Sequence, residues 1–229
     1  MTLQNHEAIV SGQFGPRADA YLTSAVHAAG EDLDRMVQLL GPRPGARALD
    51  LGCGGGHAAF RLAPLVEQVV ACDLSEAMLA VVAREAERRN LANLSTQLGA
   101  AETLPCPPAS FDLVVSRYSA HHWRDLPAGL AQVRRVLKPD GTAVFMDVVA
   151  PESPLLDTWL QSLELLRDPS HVRNRSLAQW RTLLTAAGFI PGEPATFRPR
   201  VANRTWVRFR PSQPHGSRPR LLSRSRSGS

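Results

Sequence analysis

Short apolar runs alternate with amphipathic segments along most of the chain, and this alternation predicts a doubly wound α/β fold with a mostly parallel sheet. The apolar run at 111–116 is typical of a strand that is buried on both faces. The predicted strands cover residues 46–51, 68–73, 93–98, 111–116 and 142–148. The predicted helices cover residues 17–29, 31–40, 58–64, 125–137, 154–166 and 177–187, and a further long helix begins at Ser75 and extends at least to Ala86.

The first strand leads into a glycine-rich turn, in which four of the five residues from Gly52 to Gly56 are glycine. Glycine accepts positive φ angles and lets the backbone approach a ligand closely. The helix that follows would direct its unpaired N–H groups toward the space above the turn. Asp73 ends the next strand about twenty residues after Gly52, where nucleotide-binding folds place a carboxylate on ribose hydroxyls. Together these features predict a nucleotide-like ligand.

Two ligands fit this pattern, a nicotinamide dinucleotide and S-adenosylmethionine. A dinucleotide loop has glycine at its third motif position, where this chain has His57. S-adenosylmethionine has no pyrophosphate to cradle, but it carries an α-ammonium, and Asp50 supplies negative charge at that end of the loop. A reductase would also lack its usual catalytic pair, since the only lysine is Lys138, in a predicted turn. These residues favour S-adenosylmethionine.

The segment from Leu49 to Gly56 resembles the first motif of class I S-adenosylmethionine-dependent methyltransferases. Further matching segments follow in the family's order, at 73–79, 101–105, 110–115 and 136–141. Within that superfamily the chain resembles the ubiquinone/menaquinone-biosynthesis type (methyltransferase type 11), from about residue 14 to about residue 200. The resemblance implies a Rossmann-like methyltransferase fold, with a seven-stranded type of sheet and helices on both faces.

The same resemblance, with the rule that ligands bind over the carboxyl ends of the strands, selects the cofactor-binding residues. They are Asp50, Gly52, Cys53, Gly54, Gly56, Asp73, Leu74, Ala100, Ala101, Glu102, Ser116 and Tyr21. Ala100 departs from the family pattern, which has an aspartate there on the adenine amino group. We expect the backbone around Ala101 to bind the base edge instead, with Glu102 as a weaker substitute.

Two adjacent histidines, His121 and His122, follow the fourth strand, where the resembling enzymes bind the methyl acceptor. Histidine titrates near neutrality, so either is a candidate proton acceptor, and packing or capping is the alternative. No metal is expected, because adjacent histidines would point apart and no third ligand follows nearby. A base is needed only when the acceptor is still protonated before the reaction, because in-line positioning of the reactants accounts for most of the rate of methyl transfer.

The resemblance also divides the chain into three regions. Residues 1–45 form a helical lid, residues 46–200 form the methyltransferase domain, and residues 201–229 form an Arg/Ser/Pro-rich tail. Tyr21 would lie nearest the methionine end of the cofactor, with an amphipathic docking helix as the alternative. The segment 150–174 would supply an acceptor pocket with Trp159 and Leu163 as apolar walls.

Charge is distributed unevenly along the chain. The residues after Glu193 include nine arginines and no acidic residue, whereas residues 1–193 carry 17 basic and 21 acidic residues, a net charge of −4. Residues 1–193 therefore show no excess of basic residues of the kind that binds nucleic acid. The tail is either an arm that binds RNA or anionic membranes, or the product of a reading-frame change that degraded the last edge strands. Residues 201–209 are compatible with one poor strand, and residues 211–229 are predicted to be disordered.

The remaining composition indicates a cytoplasmic protein. Its three cysteines include no C-x-x-C pair and are expected to be reduced. No apolar run is long enough to span a bilayer, and the first residues do not form a basic-then-apolar leader. The leading hypothesis is methyl transfer from S-adenosylmethionine to a small molecule, at carbon or oxygen of an aromatic or quinone-like compound. The alternative is a non-catalytic S-adenosylmethionine-binding or RNA-associated protein that uses its basic tail.

Overall fold

The computed structural model describes residues 3–14, 30–197 and 204–211. Its strands are β1 (Arg43–Leu51), β2 (Val66–Asp73), β3 (Leu94–Leu98), β4 (Phe111–Arg117), β5 (Leu137–Asp147), β6 (Phe189–Pro191), β7 (Ala195–Phe197) and β8 (Arg204–Pro211). They form one sheet in the order β3-β2-β1-β4-β5-β8-β6, and β7 also pairs with β8. The first five strands are parallel, while β8 runs antiparallel to its neighbours. This arrangement confirms the predicted doubly wound, mostly parallel sheet.

Three of the described α-helices connect parallel strands, and the others precede β1 or follow β5. Within the described residues the α-helices are α1 (Leu3–Phe14), α2 (Glu31–Leu40), α3 (His57–Leu62), α4 (Glu76–Arg88), α5 (Leu126–Val136), α6 (Pro154–Arg167) and α7 (Leu177–Ala186). Ser75 caps α4 by accepting from the Met78 N–H, and Asp125 caps α5 by accepting from the Ala128 N–H. Such caps satisfy N–H groups that the first helical turn leaves unpaired. Both caps were readable from the sequence.

The central strands are buried on both faces. Ala48 of β1 packs in one apolar cluster with α2, α3 and α4, and the next residue, Leu49, packs in a second cluster with α5 and α7. Successive side chains of a strand point to opposite faces, so one strand serves both clusters. The strands therefore appear in sequence as continuous apolar runs.

One predicted element differs from the structure, one helix was not predicted, and one predicted helix lies outside the described residues. The turn predicted at 138–141 lies within β5, where a register shift opposite β4 accommodates the extra residues. Helix α1 was not predicted, and its apolar positions give only a weak periodic pattern. The helix predicted at 17–29 lies outside the described residues.

The strand predicted at 201–209 is found at Arg204–Pro211. It pairs with β5 from Ala143↔Phe209 to Asp147↔Thr205. The three cysteines are free thiols, as expected. None of the described helices combines the length and apolarity that a bilayer span needs.

Candidate cofactor and acceptor site

A cavity of about 200 Å³ lies at the carboxyl ends of the parallel strands. Its walls come from the loops after β1, β2, β3 and β4, and α1 closes one side with His6, Glu7 and Val10. The loop after β4 carries most of the polar wall. Ligands of doubly wound sheets bind at this edge, so the cavity lies where the strand-end rule places it.

The glycine turn forms one wall. Gly52, Gly54 and Gly56 have φ angles of +67°, +50° and +78°, which side chains disfavour. A Cβ at Gly52 would lie 1.8 Å from Ser119 Oγ, and one at Gly56 would lie 2.9 Å from Phe60 Cζ. At Gly54 a Cβ would meet no described atom within 4 Å. Gly52 and Gly56 therefore allow neighbouring side chains to pack closely against the turn. Gly54 instead exposes its backbone to the cavity with no side chain in between.

Asp50 is the buried carboxylate of this wall. It is 1% exposed, and its Oδ2 accepts a hydrogen bond from the Ala59 N–H at 2.8 Å. Its Oδ1 has no hydrogen-bond partner among the described residues. Burial raises the pKa of Asp50 to about 7, against the opposing effects of the Ala59 hydrogen bond and the charge of Arg117. A buried carboxylate oxygen without a partner is costly, and a cationic ligand group would satisfy it.

Asp73 joins the end of β2 to the glycine turn. Its Oδ2 accepts from the Gly54 N–H at 2.8 Å, and its Oδ1 accepts from the Ser75 N–H at 2.9 Å. Burial raises the pKa of Asp73, although these amide hydrogen bonds oppose the shift. Asp73 and Leu74 both line the cavity, as predicted. A carboxylate can accept further hydrogen bonds, so this geometry is compatible with ribose hydroxyls.

The loop after β3 brings Ala100, Ala101 and Glu102 to the cavity wall. Glu102 Oε1 already accepts the Asp125 N–H at the start of α5, at 3.2 Å. Its side chain is therefore engaged in helix capping, which disfavours it as the substitute for the missing aspartate. Cys53 and Met78 also line the cavity, and Met78 was not predicted.

Four predicted positions do not line the cavity. Ser116 is buried in β4. Gly56 is the last residue of the glycine turn, and a Cβ there would meet Phe60 and Val82 and not the cavity. Trp159 and Leu163, expected as acceptor walls, face outward and are 64% and 43% exposed. Tyr21 lies outside the described residues.

His121 is held against Asp147 at the end of β5. Its Nδ1 lies 2.5 Å from Asp147 Oδ1, and its backbone N–H donates to Asp147 Oδ2 at 3.0 Å. Burial by itself raises the pKa of Asp147, but attraction to His121 and the hydrogen bonds it accepts hold the pKa below its ordinary value. The contact assigns the ring proton to Nδ1, which leaves Nε2 as the acceptor nitrogen. His121 also lines the cavity, so the pair lies in its wall.

His122 contacts protein groups through both ring nitrogens. Its Nδ1 lies 3.1 Å from both the carbonyl and the hydroxyl oxygen of Ser170, and its Nε2 lies 4.0 Å from Asp168 Oδ2. Burial, followed by the neighbouring His121, lowers the pKa of His122 to about 3. His122 is therefore neutral at physiological pH.

The expectation that the adjacent histidines point apart is wrong. They lie in a short 3₁₀ turn, Ala120–His122, which brings their ring centroids to 4.1 Å. His171 adds a third ring, with its centroid 5.6 Å from that of His121. No three His, Cys, Asp or Glu side chains in the described part of the chain are arranged to hold a metal ion.

Sequence reasoning placed residues 116–122 at the site but gave Arg117 and Tyr118 no role, and it did not place His6 there. Arg117 forms a buried ion pair with Asp32 of α2, with the guanidinium Nε 2.7 Å from Asp32 Oδ2. The Tyr118 hydroxyl donates to the same oxygen at 3.1 Å, and Tyr118 has a φ of +52°. His6 Nε2 lies 2.9 Å from the backbone carbonyl of His122. These contacts join segments distant in sequence, so no local pattern predicts them.

Comparisons with known proteins agree with this architecture. A methyltransferase-domain family model matches residues 49–145. The methyltransferase YcgJ of Bacillus subtilis is 40% identical over 173 residues, covering 76% of this chain and 68% of that protein. YafE of Escherichia coli is 47% identical over 156 residues, covering 68% of this chain and 75% of that protein. The 2-phytyl-1,4-naphthoquinone methyltransferase of Synechococcus elongatus is 41% identical over 125 residues, about half of each chain.

The crystal structure of YcgJ superposes on this fold with a TM-score of 0.75, covering 80% of this chain and 99% of that one at 26% identity. The fold and the site thus define a Rossmann-like, class I S-adenosylmethionine-dependent methyltransferase. The chain belongs to the methyltransferase type 11 family, which includes enzymes of the ubiquinone/menaquinone-biosynthesis type.

Proposed function

We propose that this methyltransferase methylates a small aromatic or quinone-like acceptor, at oxygen or at ring carbon, after His121 removes a proton from an acceptor hydroxyl. The observation that carries the proposal is the His121–Asp147 pair in the wall of the cavity above the glycine turn. The relative named for 2-phytyl-1,4-naphthoquinone supports an acceptor of this class.

The cavity residues fit S-adenosylmethionine. The unpartnered Oδ1 of Asp50 suits the α-ammonium, and the open backbone at Gly54 leaves room for the methionine part. Asp73 would accept from the ribose hydroxyls, with Leu74 and the backbone around Ala101 near the base. When bound, the cofactor supplies a methyl group on a sulfonium, which is an excellent leaving group. The remaining task for the protein is to orient the acceptor and to remove its proton.

His121 is the better of the two predicted candidates for this base. Its Nδ1 is fixed by Asp147, and its backbone carbonyl accepts from the Val172 and Arg173 N–H groups at 2.9 and 3.1 Å. As the acceptor O–H bond breaks, the proton moves to His121 Nε2. The imidazolium that forms is then stabilised by the Asp147 carboxylate. Bound S-adenosylmethionine would supply the methyl group to the deprotonated acceptor oxygen, or to the ring carbon that its charge activates and that then loses its own proton, and S-adenosylhomocysteine would leave with the electron pair of the carbon–sulfur bond.

His122 assists this arrangement without taking the proton. Its low pKa keeps it uncharged, so it adds no positive charge next to the imidazolium of His121. Its contacts with Ser170 and Asp168 hold the segment after α6 against the 3₁₀ turn. We therefore assign His122 a positioning role.

The test uses radiolabelled S-adenosylmethionine with reduced 1,4-naphthoquinone and catechol as acceptors, and mass spectrometry of the products. We expect one added methyl group, and we expect His121→Gln to lower kcat by about 10²- to 10⁴-fold. The affinity for S-adenosylhomocysteine should be unchanged in that variant, which shows that the cofactor site is intact. His122→Gln is the comparison variant: because the Gln amide can keep the hydrogen bond to the Ser170 carbonyl, it should lower kcat much less than His121→Gln does.

Two results would count against the proposal. Equal losses of kcat in the His121 and His122 variants would show that His121 is not a specific base. Methylation of neither acceptor class, by a protein that binds S-adenosylmethionine, would refute the acceptor assignment.

A further inference from the structure

The cavity wall near Asp50 also contains a buried positive charge, Arg117. Arg117 is the last residue of β4, and Val115, two residues before it, pairs with Asp50 of the neighbouring strand β1. Both residues line the cavity. Arg117 is close enough to Asp50 that its charge lowers the pKa of that carboxyl. An anionic and a cationic side chain therefore stand side by side at this end of the site.

Arg117 is held rigidly. Its side chain is 7% exposed and pairs with Asp32, which is equally buried. Its guanidinium carbon also lies 4.6 Å from the centroid of the Tyr118 ring. A buried ion pair costs desolvation energy, so it is weak evidence for a role in stability alone. A guanidinium has five N–H donors in a planar fork, a shape that matches a carboxylate.

We infer that Arg117 binds the α-carboxylate of S-adenosylmethionine while Asp50 binds its α-ammonium, so that the two side chains together recognise the amino-acid part of the cofactor. The inference rests on the proposed function, because it needs the methionine end of the cofactor beside Asp50. Asp32 orients the guanidinium and holds α2 against this end of the cavity.

Two other arginines in the cavity wall lie elsewhere. Arg124 follows Trp123 near the start of α5, and Arg167 ends α6, next to Asp168 on the His122 side. Neither lies on β4, the strand that pairs with Asp50. They are therefore matched controls for the loss of a positive charge from the wall.

The experiment compares the binding of S-adenosylmethionine with that of decarboxylated S-adenosylmethionine and 5′-methylthioadenosine, by calorimetry and without any acceptor. The natural protein should bind the decarboxylated compound about 10- to 100-fold more weakly, as expected for one lost charge-assisted contact. In Arg117→Met this preference should disappear. Binding of 5′-methylthioadenosine, which lacks the amino-acid part, should stay within about twofold, which also shows that the variant is folded.

Because Arg117→Met leaves Asp32 buried without its partner, the double variant Arg117→Met/Asp32→Asn is measured as well, and it should show the same loss of preference. Arg124→Met and Arg167→Met should keep the preference of the natural protein. A preference that persists in both Arg117 variants, or that disappears in Arg124→Met instead, would overturn the inference. No binding of S-adenosylmethionine by the natural protein would instead refute the proposed function, and the inference with it.

Discussion

At the scale of single residues, Asp50 couples cofactor binding to pH. Its pKa of about 7 means that a large part of the free protein carries a protonated carboxyl at neutral pH. An α-ammonium prefers the ionised form, so binding should lower this pKa and release a proton.

We expect a bell-shaped dependence of S-adenosylmethionine affinity on pH. Below about pH 7 the association constant should fall as Asp50 becomes protonated, by up to about tenfold per pH unit. Above about pH 8 it should fall as the ligand loses its own α-ammonium proton. Calorimetry across this range provides the measurement, and Asp50→Asn should remove the acid limb alone. An acid limb that survives in Asp50→Asn would assign the titration to another group.

Gly54 offers a second test at this scale, with a control inside the same chain. Gly54 and Gly41 both have positive φ, at +50° and +61°, and a Cβ at either would meet no described atom within 4 Å. Gly54→Ala and Gly41→Ala should therefore each lower the free energy of unfolding by about 1–2 kcal/mol, through backbone strain. Only Gly54 lines the cavity, so only Gly54→Ala should weaken S-adenosylmethionine binding. Equal affinities in the two variants would remove Gly54 from the cofactor site.

The residues that sequence reasoning found belong to local patterns. Asp50, the glycine turn and Asp73 lie at recognisable strand ends, and the structure brings them to one cavity. Asp147 lies 26 residues from His121, and Asp32 lies 85 residues from Arg117. Only the folded sheet brings such pairs together, so the orientation of His121 and the position of Arg117 could not be predicted.

At the scale of elements, α6 shows how a correctly predicted helix can still be wrongly oriented. Its apolar residues Trp159 and Leu163 were expected to face the acceptor, but they are exposed, and the half-buried face of the helix includes Asp157 and Gln161. Gln161 exchanges hydrogen bonds with the backbone of Asn174, and Asp157 pairs with Arg173. Hydrophobic periodicity identifies a helix but assumes that its apolar face is the buried one.

Strand β8 leads to a prediction about the end of the chain. It is the partner of β5 over Ala143–Asp147 and also pairs with β6 and β7. A chain that ends at residue 203 should therefore lose about 5 °C or more in Tm, because β5 keeps β4 but loses its neighbour on the other side. A chain that ends at Pro211 retains every described strand and should keep both its Tm and its cofactor affinity.

Thermal denaturation and calorimetry of the two truncated chains test this prediction. Equal Tm values for the two would show that β8 contributes nothing to the sheet. Salt-sensitive RNA binding that is lost in the chain ending at Pro211 would instead support the RNA-associated alternative, with the arginine-rich tail as the contact.

At the scale of the whole molecule, the fold was predictable because the separate signals in the sequence agree with one another. Apolar runs, caps and the order of the strands all favour the same doubly wound sheet. The part of the cavity proposed for the acceptor is less accessible to prediction, because its wall comes from α1, the loop after β4 and the end of α6, which are far apart in sequence. The part proposed for the cofactor comes mainly from strand ends in regular order, and most of the residues predicted for it line the cavity.

The central claim is that this cavity holds S-adenosylmethionine, with the methionine end at Asp50. The most direct measurement is calorimetry of the purified protein with S-adenosylmethionine and, separately, with NADH. The account predicts one S-adenosylmethionine bound per chain with a Kd of about 1–100 μM and no measurable binding of NADH. Tighter binding of NADH than of S-adenosylmethionine would contradict it.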